Sequence, residues 1–156
     1  EQARSIIGNV IDGPLVLVGF SMSGQPVCDL VVRPPENGTC GVVLGAPAAY
    51  AAEAHRVPFG GGFTEIIRTP ASWKTSSSFG HVETFTGLVG LVVPGLDNVI
   101  PPAVTTRYRE AVTVAGGLCV DLVDAPHQLG TWLNKCDGDR DMVLALLLKQ
   151  LARVAT

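Results

Sequence analysis

The chain has 156 residues, enough for one domain with a real core, and it is 47% hydrophobic with a formal net charge of −3. Its Lys and Arg residues are scattered, so nothing favours nucleic acid or an anionic membrane surface as a partner. No apolar run approaches the roughly 20 residues of a membrane span, and abundant buried parallel strands would account for the apolar composition instead.

Residues 1–11 place Ala3, Ile6, Ile7, Val10 and Ile11 on one stripe at helical spacing, which predicts an amphipathic helix stopped by Asp12-Gly13-Pro14. Leu15–Phe20 is a short apolar run and reads as a buried strand. It ends at Ser21, and a helix from Gln25 to Val32 follows at once, with Pro26 in its first turn. Pro34-Pro35-Glu36-Asn37-Gly38 ends that helix, and Cys40–Leu44 is a second strand. Residues 48–87 are irregular, with Gly60-Gly61-Gly62, Trp73 and a polar run from Thr75 to Ser78; one or two helices and a mobile flap or cap are expected there. Leu88–Val93 is a third strand, and Pro101-Pro102 opens a helix to about Val114 that Gly116-Gly117 closes. Leu118–Val123 is a fourth strand, and Asp139–Val154 a final helix in which Met142, Leu144, Ala145, Leu147, Leu148 and Leu151 are apolar.

Strands alternating with helices predict an α/β fold: about four parallel strands, right-handed crossovers, and a single domain over 1–156. The loops at the carboxyl ends of such strands gather on one rim. Three of them carry reactive side chains: Ser21, then Asp97 with Asn98, then His127.

The four cysteines (Cys28, Cys40, Cys119, Cys136) have no paired spacing, and Cys28 and Cys119 fall in apolar patterns that suit small core residues. No metal and no cofactor is expected. The N-terminus has no signal-peptide pattern and no initiating Met, so a processed or trimmed chain in the cytoplasm is the default expectation.

The stretch Gly19-Phe20-Ser21-Met22-Ser23-Gly24 resembles the nucleophile elbow of the α/β-hydrolase family, whose usual form is Gly-x-Ser-x-Gly; Ser23 stands where the second glycine would be. The residues alone are equally compatible with a tight strand–helix turn holding an ordinary serine. The order Ser…Asp…His supports the resemblance, which extends over nearly the whole chain. Gly95-Leu96-Asp97-Asn98 looks like the family's acid loop, Ala125-Pro126-His127 like its histidine loop, and the last helix like its C-terminal helix.

By that resemblance the fold is a truncated α/β-hydrolase-like three-layer sandwich. Ser21 is the expected nucleophile and His127 the general base. The family's Gly-x-x-Asp spacing puts Asn98 in the acid register; Asp97 serves if the loop is one residue shorter, with Asp124 a weaker fallback. His55 and His81 read as surface residues. Trp73, Phe59, Phe63 and Phe79 are candidates for an acyl pocket, or simply for packing of the flap.

The family fold has about eight strands, and this chain corresponds to the last four. One oxyanion donor, the Met22 N–H, is present; the other belongs to a loop outside the resemblance. The elbow strand would also have one edge unpaired. The implied function is a serine hydrolase that cleaves an ester, thioester or related acyl bond of a small acyl substrate. Its sheet would be completed by a homodimer or a partner chain, or the bare edge covered by the N-terminal segment. The alternatives are an inactive hydrolase-derived binding or assembly module, or a piece of a longer hydrolase.

Overall fold

A computed structural model of the chain describes residues 15–32 and 39–154. The helix predicted over 1–11 and the Pro34–Gly38 stop lie outside the described residues. Four strands form one parallel sheet in sequential order: β1 (Leu15–Phe20), β2 (Thr39–Gly45), β3 (Leu88–Leu96) and β4 (Leu118–Pro126). The helices are α1 (Gly24–Val31), α2 (Thr64–Arg68), α3 (Ser78–Thr84), α4 (Pro102–Val114), α5 (Leu129–Lys135) and α6 (Asp137–Val154).

Sequential strand order has a consequence for layering. Each crossover steps the same way across the sheet, so a common right hand puts every connecting helix on one face. On that face α1, α3 and α4 cover Val42, Leu44, Val89, Leu91 and Val93, with Cys28, Phe79, Val82 and Tyr108 among the buried contacts. Among the described residues, the chain beyond β4 covers the other face. There α5 and α6 bring Leu129 and Val143 against Val92 and Leu122. Gly90 makes this approach possible, because a Cβ at that position would sit 2.6 Å from Leu147 Cδ2.

A two-helix cover is too narrow for four strands. It packs on β3 and β4, and among the described residues nothing covers β1, where Val18 is 52% and Phe20 39% exposed. An apolar cleft of about 290 Å³ remains between β1 and α6, lined in part by Val16, Val18, Phe20, Leu144 and Leu148. Met142, Leu144 and Leu148 are accordingly exposed, although they belong to the apolar set of the final helix.

Several boundaries differ from expectation for local reasons. β3 and β4 each run three residues further than predicted, to Leu96 and Pro126, carrying their ends to the rim of the sheet. The final helix begins at Asp137, and α5 was not foreseen. The cap holds two helices, within the one or two expected. It contains short turns at Ala52–Arg56 and Ser72–Thr75, a wide turn at Phe59–Phe63, and the helices α2 and α3. All four cysteines are free; Cys28 is fully buried, whereas Cys119 is only partly so. Among the described residues, no helix is long and apolar enough to cross a membrane.

Candidate active site

The elbow is built from glycine sterics and one serine tie. A Cβ on Gly19 would lie 2.8 Å from the Ser23 carbonyl oxygen, and one on Gly24 would lie 2.6 Å from Pro47 Cβ. Only glycine fits at either place. Ser23 is no passive substitute for the family's second glycine. Its Oγ accepts from the Phe20 N–H (2.7 Å) and donates to the Phe20 carbonyl (2.7 Å), clamping the turn across three residues. Ser21, at the apex, has φ +51°, in the left-handed region that costs a non-glycine residue about 1 kcal/mol. Its carbonyl accepts from the Ala48 N–H at 2.8 Å, which fixes the apex against the start of the cap.

Asp97 and His127 follow β3 and β4 directly. The β3–β4 register slips between Pro94 and Leu96, where a Cβ on Gly95 would lie 2.2 Å from the Val123 carbonyl oxygen. This irregularity turns the strand end so that Asp97, one residue earlier than the family spacing suggests, meets the histidine. Asp97 Oδ2 lies 3.0 Å from His127 Nδ1, and His127 Nε2 lies 2.9 Å from Ser21 Oγ. The other Asp97 oxygen accepts the N–H groups of Val99 (2.8 Å) and Ile100 (3.1 Å), so the carboxylate is held at both ends. The side chains of His127 and Asp97 are 11% and 10% exposed. An ionised carboxylate only accepts hydrogen bonds, which puts the imidazole proton on Nδ1 and leaves Nε2 as the acceptor for the Ser21 hydroxyl.

The remaining candidates lie elsewhere. Asn98 is exposed and Asp124 points out of β4 into solvent, so neither joins the cluster. His55 and His81 approach Asp29 of α1 at 3.6 and 3.2 Å, on the cap side. His55 is exposed as expected, whereas His81 is only partly exposed, against the expectation of a surface residue. Trp73 lines the cleft in front of Ser21, but Phe63 and Phe79 are core residues packed edge-on against Tyr50 and Tyr108. The side chain of Phe59 lies outside the described residues. No group of three or more His, Cys, Asp or Glu side chains able to hold a metal ion occurs among the described residues.

Ser21 opens onto a cleft of about 570 Å³. Met22, Ala48 and Ala49 form its floor; Val99, Ile100, Pro101 and Val104 one wall; and the cap from Thr64 to Trp73 the other. A polar network joins that cap to the elbow helix. The buried Gln25 side chain accepts from the Tyr50 N–H and the Ser76 hydroxyl and donates to Ser77, while the Tyr108 hydroxyl bonds Ala48 and Ser78. In the sequence this network shows only as the polar run from Thr75 to Ser78.

No protein-family model matches the chain, and no curated protein sequence matches it either. Solved structures do. A monoacylglycerol lipase from Paleococcus ferrophilus is 19% identical with a TM-score of 0.58, the match covering 97% of this chain and 74% of the lipase. The thioesterase domain of the curacin biosynthetic pathway is 14% identical with a TM-score of 0.61, over 95% of this chain and 71% of that domain. Dipeptidyl peptidase 4 from Porphyromonas gingivalis is 19% identical with a TM-score of 0.57 over 89% of this chain, which spans only 21% of the peptidase. A likeness at these identities is one of architecture. The chain has the α/β fold of the α/β-hydrolases, with four parallel strands between helical layers.

Proposed function

We propose that this chain is a serine hydrolase that cleaves an ester, thioester or related acyl bond. The observation that carries the reading is the continuous hydrogen-bonded series Asp97–His127–Ser21, at 3.0 and 2.9 Å, opening onto a mostly apolar cleft. His127 Nε2 takes the Ser21 proton as Oγ attacks the acyl carbon. Asp97 holds the imidazole in the productive tautomer and stabilises the imidazolium. The tetrahedral oxyanion forms beside the start of the turn that follows Ser21, where the Met22 N–H is the donor assigned to it. His127 then protonates the departing alkoxide or thiolate. Water, deprotonated by the same nitrogen, releases the acyl group and restores Ser21.

A second part of the proposal concerns the open edge. β1 is uncharged, contains no proline and exposes Val18 and Phe20 beside the apolar cleft, a combination that invites strand pairing. We assign that edge to a second copy of the chain. The same exposed edge favours the alternative of an assembly module without turnover.

A fluorophosphonate probe separates the two. The hydrolase reading expects covalent labelling of the wild-type chain and none of Ser21→Ala, with hydrolysis of a 4-nitrophenyl ester lost in parallel. A wild-type chain that is folded by circular dichroism yet neither labels nor turns over would reject the hydrolase reading and leave the assembly module or a piece of a longer hydrolase.

A further inference from the structure

The cleft in front of Ser21 has one charged lining residue, Arg68, at the C-terminal end of α2. Every other side chain that lines it is apolar or an uncharged hydroxyl. Arg68 and Arg56 differ from the other described arginines. Arg107 pairs with Glu83, Arg109 with Asp121 and Arg140 with Asp137, whereas Arg68 has no carboxylate partner among the described residues. Glu65, one helical turn earlier, does not pair with it either.

We propose that Arg68 selects substrates bearing a carboxylate remote from the bond that is cleaved, a refinement that rests on the hydrolase reading. The chemistry follows from the lining. A guanidinium is a fixed fork of donors matched to a planar carboxylate. An uncharged ligand would leave that fork unpaired; an acidic one completes it. One cation with no second basic side chain lining the cleft suits a single negative charge better than a phosphate dianion. Arg68 is exposed at the mouth and Ser21 lies on the cleft wall, so the ligand places its acyl bond inside and its carboxylate at the opening. Ile67, Trp73, Val99 and Val104 are among the apolar side chains that line the same cleft.

The bland alternative is that the Arg68 stem merely covers apolar surface while its head stays in water. Three substrates distinguish these: 4-nitrophenyl hexanoate, mono-4-nitrophenyl adipate with its acid on the acyl side, and 4-(hexanoyloxy)benzoate with its acid on the leaving group. The expected result is a kcat/KM ratio of acidic to neutral substrate that falls about ten-fold or more in Arg68→Gln and recovers in part in Arg68→Lys. Whichever acidic substrate shows the fall tells on which side of the bond the carboxylate lies. Equal effects on all three substrates, or no effect on any, would overturn the assignment.

Binding of monobutyl adipate to the Ser21→Ala chain, with and without Arg68→Gln, reads the same contact in the absence of turnover. Arg68-dependent binding without any wild-type esterase activity would reject the hydrolase reading and keep the carboxylate site. Esterase activity with no Arg68 dependence in either measurement would do the reverse.

Discussion

Replacing Asp97 by Asn changes one atom and reverses one hydrogen bond. The amide oxygen still accepts from the Val99 and Ile100 N–H groups, now at 2.8 and 3.1 Å from Asp97 Oδ1, so the loop keeps its shape. The amide nitrogen then faces His127 Nδ1, where Oδ2 stands at 3.0 Å. It can only donate, so Nδ1 must become the acceptor and the proton moves to Nε2, which no longer takes the Ser21 hydroxyl proton. The imidazolium also loses its counter-charge. The corresponding exchange in a serine-protease triad lowers kcat by about 10⁴, or ~5 kcal/mol in the barrier. We expect a loss of that order here, in both 4-nitrophenyl ester turnover and the rate of fluorophosphonate labelling, with the melting temperature nearly kept. Asn98→Ala, which removes an exposed side chain, should stay within about two-fold of wild type. An Asp97→Asn chain within ten-fold of wild type, or an Asn98→Ala chain as damaged as Asp97→Asn, would refute the assignment of Asp97.

Three further expectations follow from the fold. Gly19→Ala puts a methyl 2.8 Å from the Ser23 carbonyl oxygen, where backbone must move; we expect loss of labelling and about 2 kcal/mol of destabilisation, measured by urea unfolding, and an active, fully stable variant would contradict the steric account. Burial and then the Asp29 charge push the Cys28 thiol up to about 12 from 9.0, so its contribution to stability is complete below pH 9 and is lost as pH rises from there toward 12. The unfolding free energy should fall by up to about 1.4 kcal/mol per pH unit more steeply in wild type than in Cys28→Ala, and equal alkaline slopes would reject it. Light scattering should give twice the monomer mass for wild type and the monomer mass for Val18→Lys; a wild-type monomer at tens of micromolar would dismiss the paired edge.

The legible parts of this sequence were those where one local constraint dominates. Leu15–Phe20 is apolar because it lies in a sheet, and Gly19 is glycine because the turn behind it closes on the Ser23 carbonyl; both can be read without knowing the rest of the chain. Asp97 could not be separated from Asn98, because the choice depends on the slip between Pro94 and Leu96, and that slip reflects how closely β3 approaches Val123 of the neighbouring strand. The helix α5 was missed because Gly130 and Thr131 are poor helix formers, and burial of Leu129 overrides them. The polar run from Thr75 to Ser78 carries no local sign of a partner; only the buried Gln25, distant in sequence, turns its serines into an internal network.

That network divides the cap into two parts with different freedom to vary. Residues near Tyr50 and Ser76–Ser78 are bonded to the helix that carries the elbow, and a change among them would be felt at Ser21. From Thr64 to Ala71 the hydrogen bonds run within the segment or on to Ser72 and Lys74, none of them to the elbow helix, and Ile66 and Ile67 pack against Tyr50, Ala54 and Phe63. Replacing one apolar residue by another there reshapes the wall that faces a ligand while leaving the proton-transfer geometry in place. A cleft of this kind can thus change what it admits through a single eight-residue span, without disturbing the hydrogen-bonded series behind it.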